Sequence, residues 1–223
     1  MTRKLTILLT IICLSLGLAV GAMADDAQKD AVKKDGKETV VTLKTMHGDI
    51  SLRFFPDVAP EHVKNFIEHC RSGLYKGCLF HRVIPGFMIQ GGDPNSKDDD
   101  PRNDGMGGYG YKGVGTNIHA EFSDLKHKRG TLSMARSQDP NSAGSQFFIM
   151  HAEAPFLDGK YSIFGETIDG IEVVDKIVGT PRNKSDRPNL DQKIIDIVIE
   201  EWPVSKIEES KADMWAAEKV KGK

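Results

Sequence analysis

The distribution of apolar residues after residue 38 constrains the fold of this chain most strongly. They occur in short runs, and glycine, proline or aspartate stands near the end of each run. A strand is complete in about four to eight residues, whereas a globular helix usually needs about ten to twelve. The spacing therefore predicts many short strands joined by turns. In the middle of the chain these runs cover residues 79–84, 88–90, 130–134, 146–150 and 162–164.

Two of the predicted strands form a hairpin. Apolar residues alternate with polar ones on both sides of residues 46–49 (MHGD), and a Gly-Asp turn between two alternating runs is typical of a β-hairpin. The apolar residues are Val40, Val41 and Leu43 before the turn and Ile50, Leu52 and Phe54 after it. Near the other end of the chain, residues 193–200 predict a last strand with Ile195, Ile197 and Ile199 on one face.

Two segments have the periodicity of helices. Pro60 suits a first helical turn, and the spacing of Val63, Phe66 and Ile67 gives one apolar face, which ends before Gly73. A second helix is predicted over residues 171–177, with Val173, Val174 and Ile177 facing inward. Short strands with turns and two helices predict a mainly β fold, a closed and mostly antiparallel barrel.

The first 24 residues have the layout of a secretory signal peptide. Arg3 and Lys4 precede the apolar residues 5–20, and Ala22-Met23-Ala24 has the small-x-small pattern of a cleavage site. We expect cleavage after Ala24, export to the periplasm or the medium, and no stable membrane insertion afterwards. The alternative is an uncleaved anchor. Residues 25–38 are charged and are predicted to form a linker.

Composition narrows the function classes. The chain is 39% hydrophobic and 28% charged, which is typical of a globular protein. Its formal net charge is −2, so it has no strong basic field and nucleic acid is not an expected partner. After cleavage only Cys70 and Cys78 remain, as a disulfide or as two separate thiols.

The domain is predicted to span residues 39–203. Within it, residues 96–104 (SKDDDPRND) are too polar for a core and are predicted to form a surface loop. Residues 204–223 are mostly charged or small, and they predict a C-terminal tail that is a frayed helix or disordered.

The common catalytic motifs are absent from the sequence. It contains no Gly-x-Ser-x-Gly, no phosphate-binding Gly-x-x-x-x-Gly-Lys-Ser/Thr and no His-Glu-x-x-His. His119 and Glu121 are the nearest approach to a metal pair, and two possible ligands in a polar loop are weak support for a site. We therefore expect neither a metal nor a cofactor.

Three segments are unusually dense in aromatic, amide and basic side chains: residues 80–94 (FHRVIPGFMIQGGDP), 130–148 (GTLSMARSQDPNSAGSQFF) and 154–165 (APFLDGKYSIFG). In these segments the chain closely resembles the cyclophilin family, and the stretch from about Thr39 to Glu200 matches it. The opening HGDISLRFFPDVAPEHVKNF is similar to cyclophilins of bacterial type. The resemblance implies an eight-stranded antiparallel barrel capped by two helices, a substrate groove on its outer wall, and peptidyl-prolyl cis–trans isomerase activity.

The resemblance also implies roles for individual residues. Arg82 matches the catalytic arginine of the family, and Gln90 matches the amide that bonds the substrate backbone. The pocket for the proline ring corresponds to Phe87, Met88, Phe148 and Leu157, and the groove wall to Ala135 and Gln146. Three further substrate-binding positions depart from familiar eukaryotic members, namely Arg136 (asparagine there), Phe156 (tryptophan there) and Tyr161 (histidine there). The missing tryptophan implies weakened cyclosporin binding.

The expected function is to accelerate rotation about X–Pro bonds in exported polypeptides, which would help them to fold. The protein is expected to be a monomer. Without the resemblance, Arg82 would be interpreted as a solvated strand residue and the aromatic residues as core. A proline-peptide binding or chaperone module with little turnover is the alternative. The guanidinium beside the pocket argues against it, because binding of the ring alone does not need one.

Overall fold

A computed structural model describes residues 36–221 of the chain. The predicted signal peptide (1–24) and most of the predicted linker lie outside the described residues. Within these described residues, eight strands and three α-helices make up the fold. The strands are β1 (Lys37–Thr45), β2 (Gly48–Phe54), β3 (Arg82–Ile84), β4 (Met88–Gly91), β5 (Thr131–Met134), β6 (Phe147–Met150), β7 (Ile163–Asp169) and β8 (Ile194–Pro203). The helices are α1 (Pro60–Arg71), α2 (Ile171–Val178) and α3 (Val204–Lys221), with 3-10 turns at Pro94–Lys97 and Pro155–Leu157.

The strands form one antiparallel sheet of order β3-β4-β6-β5-β7-β2-β1-β8. The predicted hairpin is its β1–β2 pair, with Leu43 opposite Ile50. The prediction of a closed barrel is wrong, because β3 and β8 remain edges of the sheet. β3 is only three residues long, and the chain before it meets the start of β8 through one isolated bridge, Leu79 to Lys193, instead of a continuous ladder.

The main core lies between the sheet and the first two helices, both of which are confirmed. Pro60 occupies the first turn of α1, and the helix buries Val63 and Phe66 on its predicted face. The Phe66 ring makes an edge contact with the Phe147 ring of β6, with centroids 5.1 Å apart. α2 begins after Gly170, which has a positive φ and at which a Cβ would collide with the backbone of the β1–β2 hairpin.

The predicted inward face of β8 is correct only in part. Ile197 and Ile199 pack against the main core, whereas Ile195 is 52% exposed and Ile194 is buried in its place. The reason is a bulge in the β1–β8 ladder between Lys44 and Thr45. A bulge shifts the alternation of side chains by one position, so Ile194, and not Ile195, lies on the same face as Ile197 and Ile199.

The C-terminal segment is an 18-residue helix, α3, and not a disordered tail. Its Ile207 is fully buried in a small cluster with Val40 of β1 and Ile168 of β7, and its Met214 joins the main core. An ion pair also holds the same helix, because Lys211 Nζ lies 2.7 Å from Glu166 Oε1 of β7. Within residues 36–221, no helix is long and apolar enough to cross a membrane.

Cys70 and Cys78 are free thiols that lie in the main core. Burial raises the pKa of Cys70 well above its usual range and that of Cys78 to about 11, so neither is a reactive thiolate at neutral pH.

Candidate active site

The site lies on the face of the sheet that points away from the main core. Side chains alternate between the two faces of a strand, and β4 and β6 show this alternation. Ile89 and Ile149 enter the main core, while Met88 and Phe148 belong to a second apolar cluster. The buried members of the second cluster are Met88, Phe148, Met150, Ala154 and Leu157, with Ile84, Phe87, Ala135 and Tyr161 partly buried against them.

Aromatic rings shape the second cluster. The Tyr161 ring meets the Phe148 ring edge-on, with centroids 5.9 Å apart. At the rim, Phe87 packs against Phe156 at 5.6 Å. Phe156 belongs to the 3-10 turn Pro155–Leu157 and is 63% exposed, whereas its neighbour Leu157 is buried in the cluster. The result is an apolar depression with one aromatic residue open to solvent beside it.

A chain of amide hydrogen bonds runs along one side of the second cluster. Arg82 Nη1 donates to Gln90 Oε1 at 3.3 Å, and Gln90 Nε2 donates to Gln146 Oε1 at 2.9 Å. The sheet enforces this order, because the β3–β4 register places Arg82 opposite Gln90 and the β4–β6 register places Gln90 opposite Phe148. Among the residues that the structure describes, Arg82 has no carboxylate partner.

The amide chain ends on the loop that follows the surface insertion. Gln146 Nε2 donates to the carbonyl oxygens of Gly105 and Gly107, at 2.9 and 2.6 Å. Glycine is required at residue 107, since a Cβ there would collide with Asp93 Oδ1. A cavity of about 260 Å³ opens beneath this loop, lined by Gln90, Gly105, Met106, Gly107, Gly108, Ala135, Arg136, Ser137, Ser142, Gly144, Ser145 and Gln146.

Arg136 separates this cavity from the aromatic side of the second cluster. Its guanidinium lies over the Tyr161 ring, 4.4 Å from the centroid. Its Nη2 donates to the carbonyl oxygen of Lys160 at 2.8 Å, and its Nη1 donates to that of Ser137 at 2.8 Å. A charged donor held by backbone carbonyls and an aromatic face has a fixed position.

A buried polar group supports the cluster from behind. The His127 ring stacks near Phe148, with centroids 6.1 Å apart and planes 15° apart. Its Nδ1 lies 3.1 Å from Asp158 Oδ1 and its Nε2 lies 3.1 Å from Ser133 Oγ. Burial lowers the pKa of His127 despite the neighbouring carboxylate. A hydrogen bond from the His127 backbone N–H is the main cause that lowers the pKa of Asp158.

The structure brings the residues singled out by the sequence into one region, with Arg82 and Gln90 beside Met88 and Phe148, and with Ala135 shared between the cluster and the cavity. Sequence reasoning missed the group His127, Ser133 and Asp158, since contacts between distant segments leave no periodic signal. It also missed the glycine loop of residues 105–108, because the polar insertion before this loop was predicted only to be a surface loop and was given no function.

Metal chemistry has no candidate donor set in the described part of the chain, where no three His, Cys, Asp or Glu side chains are placed to hold an ion. Glu121, one of the two residues considered from sequence, binds His62 Nδ1 at 2.6 Å instead of pairing with His119. What the site offers is an apolar depression, a half-buried guanidinium and amide groups that can bind a peptide backbone.

Comparison with known proteins agrees with this arrangement. Residues 40–199 match the family model described as cyclophilin type peptidyl-prolyl cis-trans isomerase/CLD. A relative from Brucella abortus, named probable peptidyl-prolyl cis-trans isomerase, is 41% identical over 189 residues, which is 83% of this chain and 91% of that protein. Peptidyl-prolyl cis-trans isomerase B of Escherichia coli is 42% identical over 177 residues, covering 74% of this chain and 99% of that protein.

A solved structure shares the fold. It is a Cryptosporidium parvum cyclophilin type peptidyl-prolyl cis-trans isomerase, crystallised in the presence of the dipeptide Ala-Pro. The TM-score is 0.66 and the identity 40%, and the match covers 72% of this chain and 98% of that one. The expectation from the sequence segments is confirmed at the level of the family: the chain belongs to the cyclophilin-type peptidyl-prolyl cis–trans isomerases.

Proposed function

We propose that this isomerase uses Arg82 as its catalytic residue and the second apolar cluster as the pocket for the proline ring. The observation that carries the proposal is the position of Arg82. Its guanidinium is tied to an amide, Gln90, that lies beside Phe148 on the same face of the sheet, and it has no carboxylate partner among residues 36–221. A cation without a counter-ion next to an apolar depression is free to bind a substrate dipole.

The reaction needs several contributions. Peptide-bond rotation has a barrier of roughly 18–20 kcal/mol, and an X–Pro bond isomerises unaided in roughly tens to hundreds of seconds. A turnover of about 10³ per second would require about five decades of acceleration, or about 7 kcal/mol. One hydrogen bond to a charged group contributes about 1.5–3 kcal/mol. Arg82 therefore acts together with the pocket and with the groups that hold the substrate chain.

The mechanism follows from the electronic change during rotation. In the planar amide the prolyl nitrogen shares its lone pair with the carbonyl group. As the bond twists, the lone pair returns to nitrogen, where the Arg82 guanidinium donates a hydrogen bond to it. This contact favours the transition state over the ground state, which is the requirement for catalysis.

The remaining groups hold the substrate. Phe87, Met88, Phe148 and Leu157 enclose the proline ring and exclude water, which strengthens the electrostatic interaction. Gln90 and the backbone near Arg136 bind the chain on one side of the bond, so that the other side rotates. Ala135 and Gln146 form the wall between them. No covalent intermediate and no proton transfer is needed.

The test is a protease-coupled isomerisation assay on an Ala-Pro peptide with Arg82→Ala, Arg82→Lys and the parent. We expect Arg82→Ala to lower kcat/KM roughly ten- to hundredfold, the equivalent of one charged hydrogen bond. Arg182→Ala serves as a control, because it removes an arginine whose ion pair with Asp186 is solvent-exposed. An Arg82→Ala protein as fast as the parent would rule out this mechanism. If the parent protein binds the peptide but does not isomerise it, a binding module is favoured instead.

The substrates we propose are proline-containing segments of exported proteins that are still folding. Support comes from the signal-peptide pattern of residues 1–24, which predicts a periplasmic or secreted protein, and from the slow proline steps that hold up folding. N-terminal sequencing of the protein recovered from the cell envelope tests this, with Asp25 as the expected first residue. We also propose that this protein is a cyclophilin of bacterial type and that it binds cyclosporin weakly, because Phe156 stands where familiar eukaryotic members have tryptophan.

A further inference from the structure

The cavity beneath the glycine loop contains one positive charge and no negative one. Its walls are glycine backbone, small residues, two amides, Met106 and Arg136, and Arg136 is the only ionisable side chain among them. The cavity opens beside the second apolar cluster, because Ala135 belongs to both and Gln90 lies between them. A peptide whose proline occupies the cluster can therefore place a neighbouring side chain in the cavity.

The charge of Arg136 is not neutralised within the described chain. All of its hydrogen-bond acceptors are backbone carbonyl oxygens, those of Ser137, Gln138 and Lys160. The nearest acid in sequence, Asp139, uses its carboxylate to accept the backbone N–H of Asn141 at 2.9 Å. The stack on Tyr161 and the carbonyl contacts hold the guanidinium in place, so little side-chain entropy is left to lose when an anion binds.

We propose that this cavity is a subsite for an acidic side chain, and that Arg136 makes the enzyme prefer substrates with Asp or Glu near the X–Pro bond. The inference rests on the proposed function, since it assumes that the second apolar cluster holds the proline. Carboxylate is the ligand that complements a fixed, half-buried guanidinium best. A lysine at the same substrate position is disfavoured by like-charge repulsion.

The experiment uses a series of peptides Ala-Ala-Ala-Pro-Ala-Ala in which one alanine at a time is replaced by Glu, Gln or Lys. Glu and Gln have nearly the same shape, so the ratio of their kcat/KM values isolates charge. At one position we expect about a fivefold preference for Glu over Gln, which corresponds to about 1 kcal/mol. High salt should reduce it. Equal kcat/KM for Glu and Gln at every position would overturn the proposal.

Three variants assign the preference to one side chain. Arg136→Gln should lose it, while Arg136→Lys should retain part of it because the charge remains. Lys160→Gln is the matched control, since it removes an exposed cation that bonds the Phe156 carbonyl near the same groove and leaves the Arg136 contact to the Lys160 backbone intact. If Lys160→Gln abolishes the preference and Arg136→Gln does not, the inference is wrong.

A direct binding measurement separates this inference from the proposed function. Fluorescence anisotropy of labelled Glu and Gln peptides reports binding without turnover. Tighter binding of the Glu peptide that depends on Arg136 supports the subsite even if no peptide is isomerised, in which case the proposed function fails alone. Isomerisation with equal affinity for Glu and Gln peptides leaves the proposed function standing and removes the subsite.

Discussion

At the scale of single residues, the hydrogen-bond chain that starts at Arg82 ends one residue away from a largely buried ion pair. Gln146 donates to the carbonyl oxygen of Gly105, and the residue before it, Asp104, accepts a hydrogen bond from Arg187 Nε at 2.5 Å. The Asp104 side chain is almost fully buried and that of Arg187 is mostly buried. The pair therefore fixes the end of the polar insertion to the segment beside β3. It thereby also fixes the Gly105 carbonyl oxygen, which accepts the hydrogen bond from Gln146.

We predict that Asp104→Asn lowers both stability and activity. The substitution leaves a mostly buried guanidinium without its main counter-charge, which costs about 1–3 kcal/mol. It also loosens the carbonyl that holds Gln146, so kcat/KM on an Ala-Pro peptide should fall severalfold with KM most affected. Denaturant unfolding and the coupled assay measure the two effects.

Asp191→Asn is the matched control for this prediction. Asp191 binds the same arginine, at Nη2, but its side chain is 52% exposed, and exposed ion pairs contribute about 0–1 kcal/mol. If the two variants lose equal stability and activity, the buried pair has no special role in placing the loop.

At the scale of elements, α3 joins parts of the fold that are distant in sequence. Glu208 binds Arg53 of β2 at 2.7 Å, and Glu218 binds Arg129 at 2.8 Å, an arginine that also binds Asp175 of α2. Ile207 adds an apolar contact to these ion pairs, because its side chain is fully buried between β1 and β7.

We predict that Ile207→Ala lowers the free energy of unfolding by about 2–4 kcal/mol, the usual cost of emptying a buried aliphatic site. Urea unfolding followed by circular dichroism measures it. Val220→Ala in the same helix is the control, because Val220 is 76% exposed and surface substitutions stay within about 0.5 kcal/mol. A small loss for Ile207→Ala, equal to the control, would mean that α3 is not a structural part of the domain.

The elements also show where sequence reasoning reached its limit. Period-2 alternation predicted the hairpin, and the helical spacing of apolar residues predicted α1 and α2, because those signals are local. The exposure of Ile195 depends on a bulge in β8, where Ile195 is the extra residue between the partners of Lys44 and Thr45. The order of α3 depends on a hydrophobic site built by β1 and β7. In the site, Arg82 and Gln90 came from the family resemblance, whereas His127 required the tertiary contact with Phe148.

At the scale of the whole molecule, histidines are concentrated in the interior. Burial is the largest cause of a lowered pKa at five of them, which lie in α1, before β3, before β5 and after β6: His62, His69, His81, His127 and His151. Their folded-state pKa values lie below 6.5, the value of an unfolded histidine. Between those values and about pH 6.5 the unfolded chain binds more protons than the folded protein, so stability falls as the pH falls.

We therefore predict that the free energy of unfolding changes little between pH 7.5 and about pH 6.5 and then decreases towards pH 5.5. The limiting slope is about 1.4 kcal/mol per pH unit for each histidine that is neutral when folded and charged when unfolded. The acids do not reverse this trend. The carboxyls with lowered pKa values, such as Asp158, act only below about pH 4, and Asp169, whose pKa burial raises, offsets the loss only at the acidic end.

His69→Gln tests the assignment to buried histidines. The neutral His69 Nε2–H donates to the carbonyl oxygen of Tyr109 at 2.9 Å, a bond that a glutamine amide can replace without taking up a proton. The variant should have a smaller slope of stability against pH, while His119→Gln, at an exposed position, should have the parent slope. A parent protein equally stable at pH 5.5 and 7.5, or a His69→Gln slope equal to the parent slope, would contradict the prediction, because the buried imidazoles would then not be the groups that couple folding to proton uptake.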